Sequence, residues 1–143
     1  MARPMLNTAV PEAYRTTIAL SAQAEKAALD AGVAPLTLEL LRIRASQLNG
    51  CGYCLRMHTR DALDKGESID RIAILPAWRE TSYFSAEERA ALAIAEEITH
   101  ISDHRDDDTS AVSPEQAAAL RWAAIAINAF NRIAISSHYA VQP

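Results

Sequence analysis

The chain has 143 residues, one domain's worth, enough to bury a core but too short to divide comfortably in two. Half of it is hydrophobic and 22% is charged, which excludes a disordered protein, and four glycines argue against a strand-and-turn architecture. A formal charge of −4 without any clustered Lys/Arg stripe excludes nucleic acid as the main partner. No segment reads as a secretory leader or a membrane span, so the expected setting is cytoplasmic and membrane-free.

In chain order, Pro11 can open a helix whose apolar face carries Tyr14, Ile18, Ala22, Ala28 and Leu29, and Ala31-Gly32 ends it. Pro35 restarts the chain. Leu38, Leu41, Ala45 and Leu48 then recur at helical spacing until Asn49-Gly50. A third helix is expected from about Cys51 to Lys65, with Gly66 beyond its end, and a shorter one from Ser68 to about Ala73. Pro76 interrupts the pattern. Ser85 with Glu88 three residues on reads as a capping box for a helix through Ile98. The stretch from His100 to Ser113, with Asp106-Asp107-Asp108, lacks periodicity and reads as an exposed loop. Ser113-Pro114 caps the last helix, Glu115 to about Ser137, which is apolar nearly all round. Such a surface needs cover on most sides, so a homo-oligomer is expected. The expectation is an all-α single domain, residues 1–143, of about six helices.

The chemistry lies in the third helix. At about 100° per residue, Cys51, Cys54 and His58 fall within roughly a 60° arc, one face with two thiols and an imidazole. Cysteines at i and i+3 can approach to disulfide range with modest adjustment. In a reducing compartment such a pair is catalytic or metal-binding more often than a structural staple. Cys51, at the helix start, gains from the unpaired N–H groups there, which favours it as the thiolate. If Asn49-Gly50 folds the second and third helices into an antiparallel hairpin, Glu39 comes level with about residue 60, facing His58, and a Glu–His–Cys relay results. Ser46, two turns on, would extend that polar seam.

The run from Glu39 to His58, an acid followed by Asn49-Gly50-Cys51-Gly52-Tyr53-Cys54 and then His58, resembles the core motif of the alkylhydroperoxidase D and carboxymuconolactone decarboxylase superfamily. The resemblance runs from about Leu36 through Thr99, and Ile127 to Ala134 is similar to the last-helix pattern of these proteins. It implies an AhpD-like orthogonal helical bundle assembled as trimers or hexamers, and thiol-dependent reduction of hydroperoxides with no bound cofactor and with an external thiol or dithiol reductant protein. It also implies Cys54 as the peroxidatic cysteine, Cys51 as its resolving partner, and His58 with Glu39 as the relay, against the helix-end preference for Cys51. Tyr53 stands where alkylhydroperoxidase D members carry His; a phenol can donate a hydrogen bond but does not shuttle a proton near neutral pH. The decarboxylase branch, which lacks the CxxC, shares the fold only.

Other readings of the same residues stay open: a dithiol–disulfide oxidoreductase of another substrate, or a non-catalytic redox-responsive or zinc-binding module using Cys51, Cys54, His58 and Glu39. One helix face is poor tetrahedral geometry for zinc. Glu39 could instead pair within its helix with Arg42. His100 and His104 have i, i+4 spacing beside Asp103 and Asp106, but a charged loop is the plainer reading. Trp78 and Trp122 read as core or subunit-contact aromatics, Tyr53 as a pocket wall, His138 as a surface or interface residue, and Asn128 and Asn131 as partners for helix ends.

Overall fold

The structure is a computed structural model that describes residues 2–103 and 105–143. Among the described residues every regular element is helical: α1 (Leu6–Ala9), α2 (Pro11–Asp30), α3 (Pro35–Asn49), α4 (Gly52–Asp64), α5 (Ile69–Ile74), a 3-10 segment (Leu75–Glu80), α6 (Ala86–Thr99) and α7 (Pro114–Ser136). The all-α single bundle agrees with the sequence. The additions are α1, one turn long, and the 3-10 segment around Pro76, which tightens the chain where the proline interrupts α-helical periodicity. His104, half of the His100/His104 pair, lies outside the described residues.

The long α7 is the most hydrophobic segment by sequence, yet α3 is the central one. It packs against α4, α6 and α7, and residues 37–43 are all buried, Glu39 and Arg42 among them. One core cluster lies on its α2/α6/α7 side, with Leu38, Leu41, Ile94, Leu120 and Ile127. A second, with Leu40, Ile43, Leu75, Trp78 and Leu92, lies on its other side. By contrast α7 leaves Trp122, Ile125 and Ile135 exposed, so Trp122 is not a core residue of the single chain. The face of α2 differs from expectation as well. Its buried positions are Ala24 and Ala28, while Ile18 is exposed and, with Tyr14, walls a cleft. Periodicity alone does not tell a cleft wall from a core stripe.

Polar side chains lock α3 to its neighbours. Asn49 Nδ2 donates to Asn128 Oδ1 and Asn131 Oδ1, both at 2.9 Å, and Asn131 Nδ2 donates to Ser46 Oγ at 3.1 Å. Ser46 therefore faces α7 rather than extending a seam from Glu39. On another side, buried Glu96 accepts from Arg44 Nε at 2.9 Å, Trp78 Nε1 at 3.0 Å and Arg79 at 2.5 Å, and Arg79 also reaches Asp107 at 2.7 Å. Burial pushes the Glu96 pKa up, but Arg79, Trp78 and Arg44 outweigh it and hold it below the ordinary value. Caps follow the sequence with one exchange. Ser85 accepts from the Glu88 N–H, but the Glu88 carboxylate goes to Arg71 at 2.7 Å, so the reciprocal box is absent there and is found instead at Ser113–Gln116.

The α3–α4 turn depends on Gly50, whose φ of 68° and ψ of 31° are left-handed. Its N–H donates to Gln47 O, and the Cys51 N–H donates to Ser46 O, the paired bonds of a Schellman motif. A Cβ at Gly50 would meet nothing within 4 Å, so a substitution costs backbone strain alone. We predict that Gly50→Ala destabilises the fold by about 1–2 kcal/mol, and that Gly50→Asn recovers part of the loss. Urea unfolding checks it: the midpoint should fall with the slope unchanged.

Candidate active site

Leaving the Gly50 turn, the backbone at Cys51 is extended (φ −85°, ψ 94°), so Cys51 is the N-cap of α4 and not a member of its helical face. Its Sγ accepts a hydrogen bond from the Cys54 N–H at 3.3 Å. The two sulfurs are in disulfide contact, with Cα atoms 5.4 Å apart, inside the range such a bond requires. The i, i+3 expectation holds, through a cap rather than through helical stacking.

Cys54 and His58 do lie on one helix, an i, i+4 pair in adjacent turns of α4. The antiparallel α3–α4 hairpin brings Glu39 to His58, with Nδ1 3.0 Å from Oε2. A carboxylate held ionised accepts only, so Nδ1 carries the hydrogen, and in the neutral form of the ring the lone pair is on Nε2. Glu39 is 2% exposed and has two further donors, Arg42 at 2.9 Å and Lys65 at 3.2 Å. Burial works to raise its pKa. The His58 hydrogen bond, the Arg42 and His58 charges and the Lys65 contact outweigh burial and bring the pKa down to about 2. Arg42 continues the chain to Glu25 on α2 at 2.6 Å. Both readings of Glu39 hold together: it pairs with Arg42 and it faces His58. Sequence reasoning missed Lys65, at the C-cap of α4, and Glu25, which only the hairpin and the α2 packing bring near; their charge and helical phase were the available signals.

These groups line a cleft of about 510 Å³. Cys54, His58, Glu39 and Tyr53 line it, and Cys51 does not, so the two thiols are unequal: one faces the cleft and the other lies behind it. Tyr14, Ile18, Ile127, Phe130 and Ile133 supply an apolar wall. Tyr53 is the pocket wall expected, packed edge-on against Tyr139 with ring centroids 5.0 Å apart. Among the described residues, the groups clustered tightly enough to share a cation are Glu39, His58 and Asp61, not the Cys/Cys/His/Glu set considered from sequence. A dication there would share Glu39 with Arg42 and Lys65, which already hold its Oε1.

The family model described as the carboxymuconolactone decarboxylase family matches residues 11–97, from α2 to the last turns of α6 and across the whole motif. The chain belongs to the carboxymuconolactone decarboxylase family. Within that family setting, it is 40% identical over 118 residues to an uncharacterized protein of Bacillus subtilis (strain 168), YdfG, with 78% of this chain and 80% of that one covered. It is also similar to a crystal structure of a protein of unknown function from Agrobacterium tumefaciens, named a "putative antioxidant defence protein AhpD". The TM-score is 0.85 at 29% identity, and 100% of this chain and 99% of that one are covered. The match begins earlier than the Leu36 expected from the motif, and the AhpD-like fold holds over the full length.

A folded-state pKa of about 2 against an ordinary 4.5 has a definite sign. Glu39 contributes stability that is fully present above about pH 4.5 and lost as pH falls toward about 2. We predict that the stability difference between wild type and Glu39→Gln, measured by urea unfolding, is largest at neutral pH and shrinks across that window.

Proposed function

We propose that the protein is a thiol-dependent peroxidase that reduces hydroperoxides in the reducing cytoplasm through Cys54 and Cys51. The observation that carries this reading is the inequality of the thiols: Cys54 lines the cleft beside His58, while Cys51 sits behind it within disulfide contact. A two-cysteine peroxidase cycle uses one thiol that attacks the peroxide and a second, within bonding reach, that resolves the sulfenic acid.

In the proposed cycle, His58 Nε2 takes the Cys54 proton. The thiolate attacks a peroxide oxygen; the S–O bond forms, the O–O bond breaks, and the alkoxide leaves as alcohol with the proton from His58. Cys54 is then a sulfenic acid. The Cys51 sulfur attacks it, the S–S bond forms, and the S–OH oxygen leaves as water with the Cys51 proton. An external thiol or dithiol reductant returns both cysteines to thiols and is itself oxidised to a disulfide. Glu39 is a positioning residue here. It fixes the His58 tautomer and stabilises the positive charge that arises on the ring, while Arg42 and Lys65 keep it ionised. The apolar wall from α2 and α7 suits the organic group of an alkyl hydroperoxide. Decarboxylation has no use for paired thiols, and this cleft is organised around one of them.

Cys54→Ser should abolish peroxide reduction, and Cys51→Ser should still form a sulfenic acid that dimedone traps, but without turnover. Glu39→Gln should slow thiol oxidation by about 10²–10⁴-fold. A coupled assay with hydrogen peroxide and an alkyl hydroperoxide, with dimedone mass mapping, checks all three; trapping at Cys51 instead of Cys54 would reverse the roles.

The same reading includes a homo-oligomer, a trimer or hexamer, supported by the exposed Trp122, Ile125 and Ile135 on α7. Light scattering at micromolar concentration should give a multiple of the 15.6 kDa chain, and Trp122→Glu should shift it toward monomer.

A further inference from the structure

The cleft holds a sulfur that the proposed cycle does not use. Met57, on α4 between Cys54 and His58, lines the same space of about 510 Å³ as both of them. It is 40% exposed, whereas Cys54 is buried. At i+3 from Cys54, its thioether shares one side of the helix with the thiol. The cleft is present with the Cys51 and Cys54 sulfurs already in disulfide contact. Closing the pair therefore leaves room for a hydroperoxide at a site where Cys54 no longer has a thiol to offer.

A thiolate reacts with peroxide far faster than a thioether does, so the reduced protein consumes hydroperoxide at Cys54. Closure removes that competitor. Among the described residues that line the cleft, Met57 then carries the only sulfur free to accept oxygen, on an unbranched side chain that can swing toward a bound ligand. The apolar wall of Ile18, Ile127, Phe130 and Ile133 holds an organic group in the same space. A hydroperoxide so held meets Met57 at a far higher local concentration than it meets a methionine facing open solvent.

We propose that Met57 is a modification site, converted to the sulfoxide by an alkyl hydroperoxide bound in the cleft once the Cys51–Cys54 bridge has closed. The inference rests on the peroxidase reading. The thioether sulfur attacks the terminal peroxide oxygen; the S–O bond forms, the O–O bond breaks, and the alkoxide leaves as alcohol with the proton that the hydroxysulfonium gives up. Sulfur is oxidised by two electrons, the hydroperoxide is reduced to alcohol, and no further reactant enters. The sulfoxide sets a polar oxygen beside an apolar wall, which weakens the hold on the next organic group. A shortage of reductant, which leaves the bridge closed and the peroxide unconsumed, is thereby recorded in the cleft as a brake on turnover.

Met5 supplies an internal reference, because it is 41% exposed and lies outside the cleft. The bridge is closed with diamide, the protein is exposed to excess cumene hydroperoxide, and peptide mass mapping follows both methionines over time. Met57 should gain oxygen about 10-fold or more faster than Met5. The ratio should fall toward one with hydrogen peroxide, which has no organic group to bind, and with cumyl alcohol added as competitor. After re-reduction with dithiothreitol, protein carrying the sulfoxide should turn over cumene hydroperoxide more slowly, and methionine sulfoxide reductases of both epimer classes should restore the rate. Met57→Leu protein taken through the same exposure should not slow relative to its own starting rate. Equal oxidation of Met57 and Met5 by cumene hydroperoxide, or undiminished turnover by the sulfoxide form, would overturn the inference while leaving the peroxidase reading standing. Reduced wild-type protein whose thiols persist in cumene hydroperoxide overturns that reading, and this inference with it.

Discussion

The rest of the site depends on one ionised carboxylate kept inside the bundle. Taking a carboxylate out of water costs several kcal/mol, on the order of what a small domain has to spare, unless its charge is matched on all sides. Glu39 meets that condition with His58, Arg42 and Lys65, drawn from both helices of the hairpin. The His58 and Lys65 contacts need α3 and α4 in a single register, while Arg42 pairs within α3, so the same ion cluster ties the hairpin together and orients the imidazole. Removing one partner would leave an unmatched charge. The polar residues of α3 are therefore part of its packing, which is why this helix, and not the more apolar α7, can be buried almost throughout.

Register comes from the turn. The left-handed Gly50 closes α3, ties the Cys51 N–H to Ser46 O, and leaves Cys51 free to cap α4 with its sulfur. One thiol thus belongs to a helix cap and the other to the helix face. Their difference in placement follows from that local geometry: both are buried in the same core cluster, and only the position three residues on also lines the cleft beside His58. The helix-end effect that favours a thiolate at Cys51 acts on the sulfur that does not line the cleft.

Much of this was legible in the sequence because the signals were local. Proline and serine marked the helix starts, Asn49-Gly50 marked the hairpin, and the spacing from Glu39 to His58 survived folding because an antiparallel hairpin maps distance from the turn directly onto contact. What depended on tertiary placement was less legible. Tyr14 and Ile18 had helical spacing and are a cleft wall; Ser46 shared a helical phase with Glu39 and turns to α7; Lys65 and Glu25 joined the site from a helix end and from α2. Glu88 matched a capping box and was drawn off by Arg71, since a charged partner outweighs a backbone N–H. Tyr139 carried no pattern, because its position is set by a reversal of the chain after α7.

The central question for this protein is whether peroxide drives the paired cysteines through a closed cycle. The direct measurement is intact-protein and peptide mass spectrometry of fully reduced protein after one equivalent of an alkyl hydroperoxide. It should show loss of two hydrogens per chain, a Cys51–Cys54 bridge within one chain, and one equivalent of alcohol released. Protein that keeps both thiols while the peroxide persists, or that forms only bridges between chains, would contradict it.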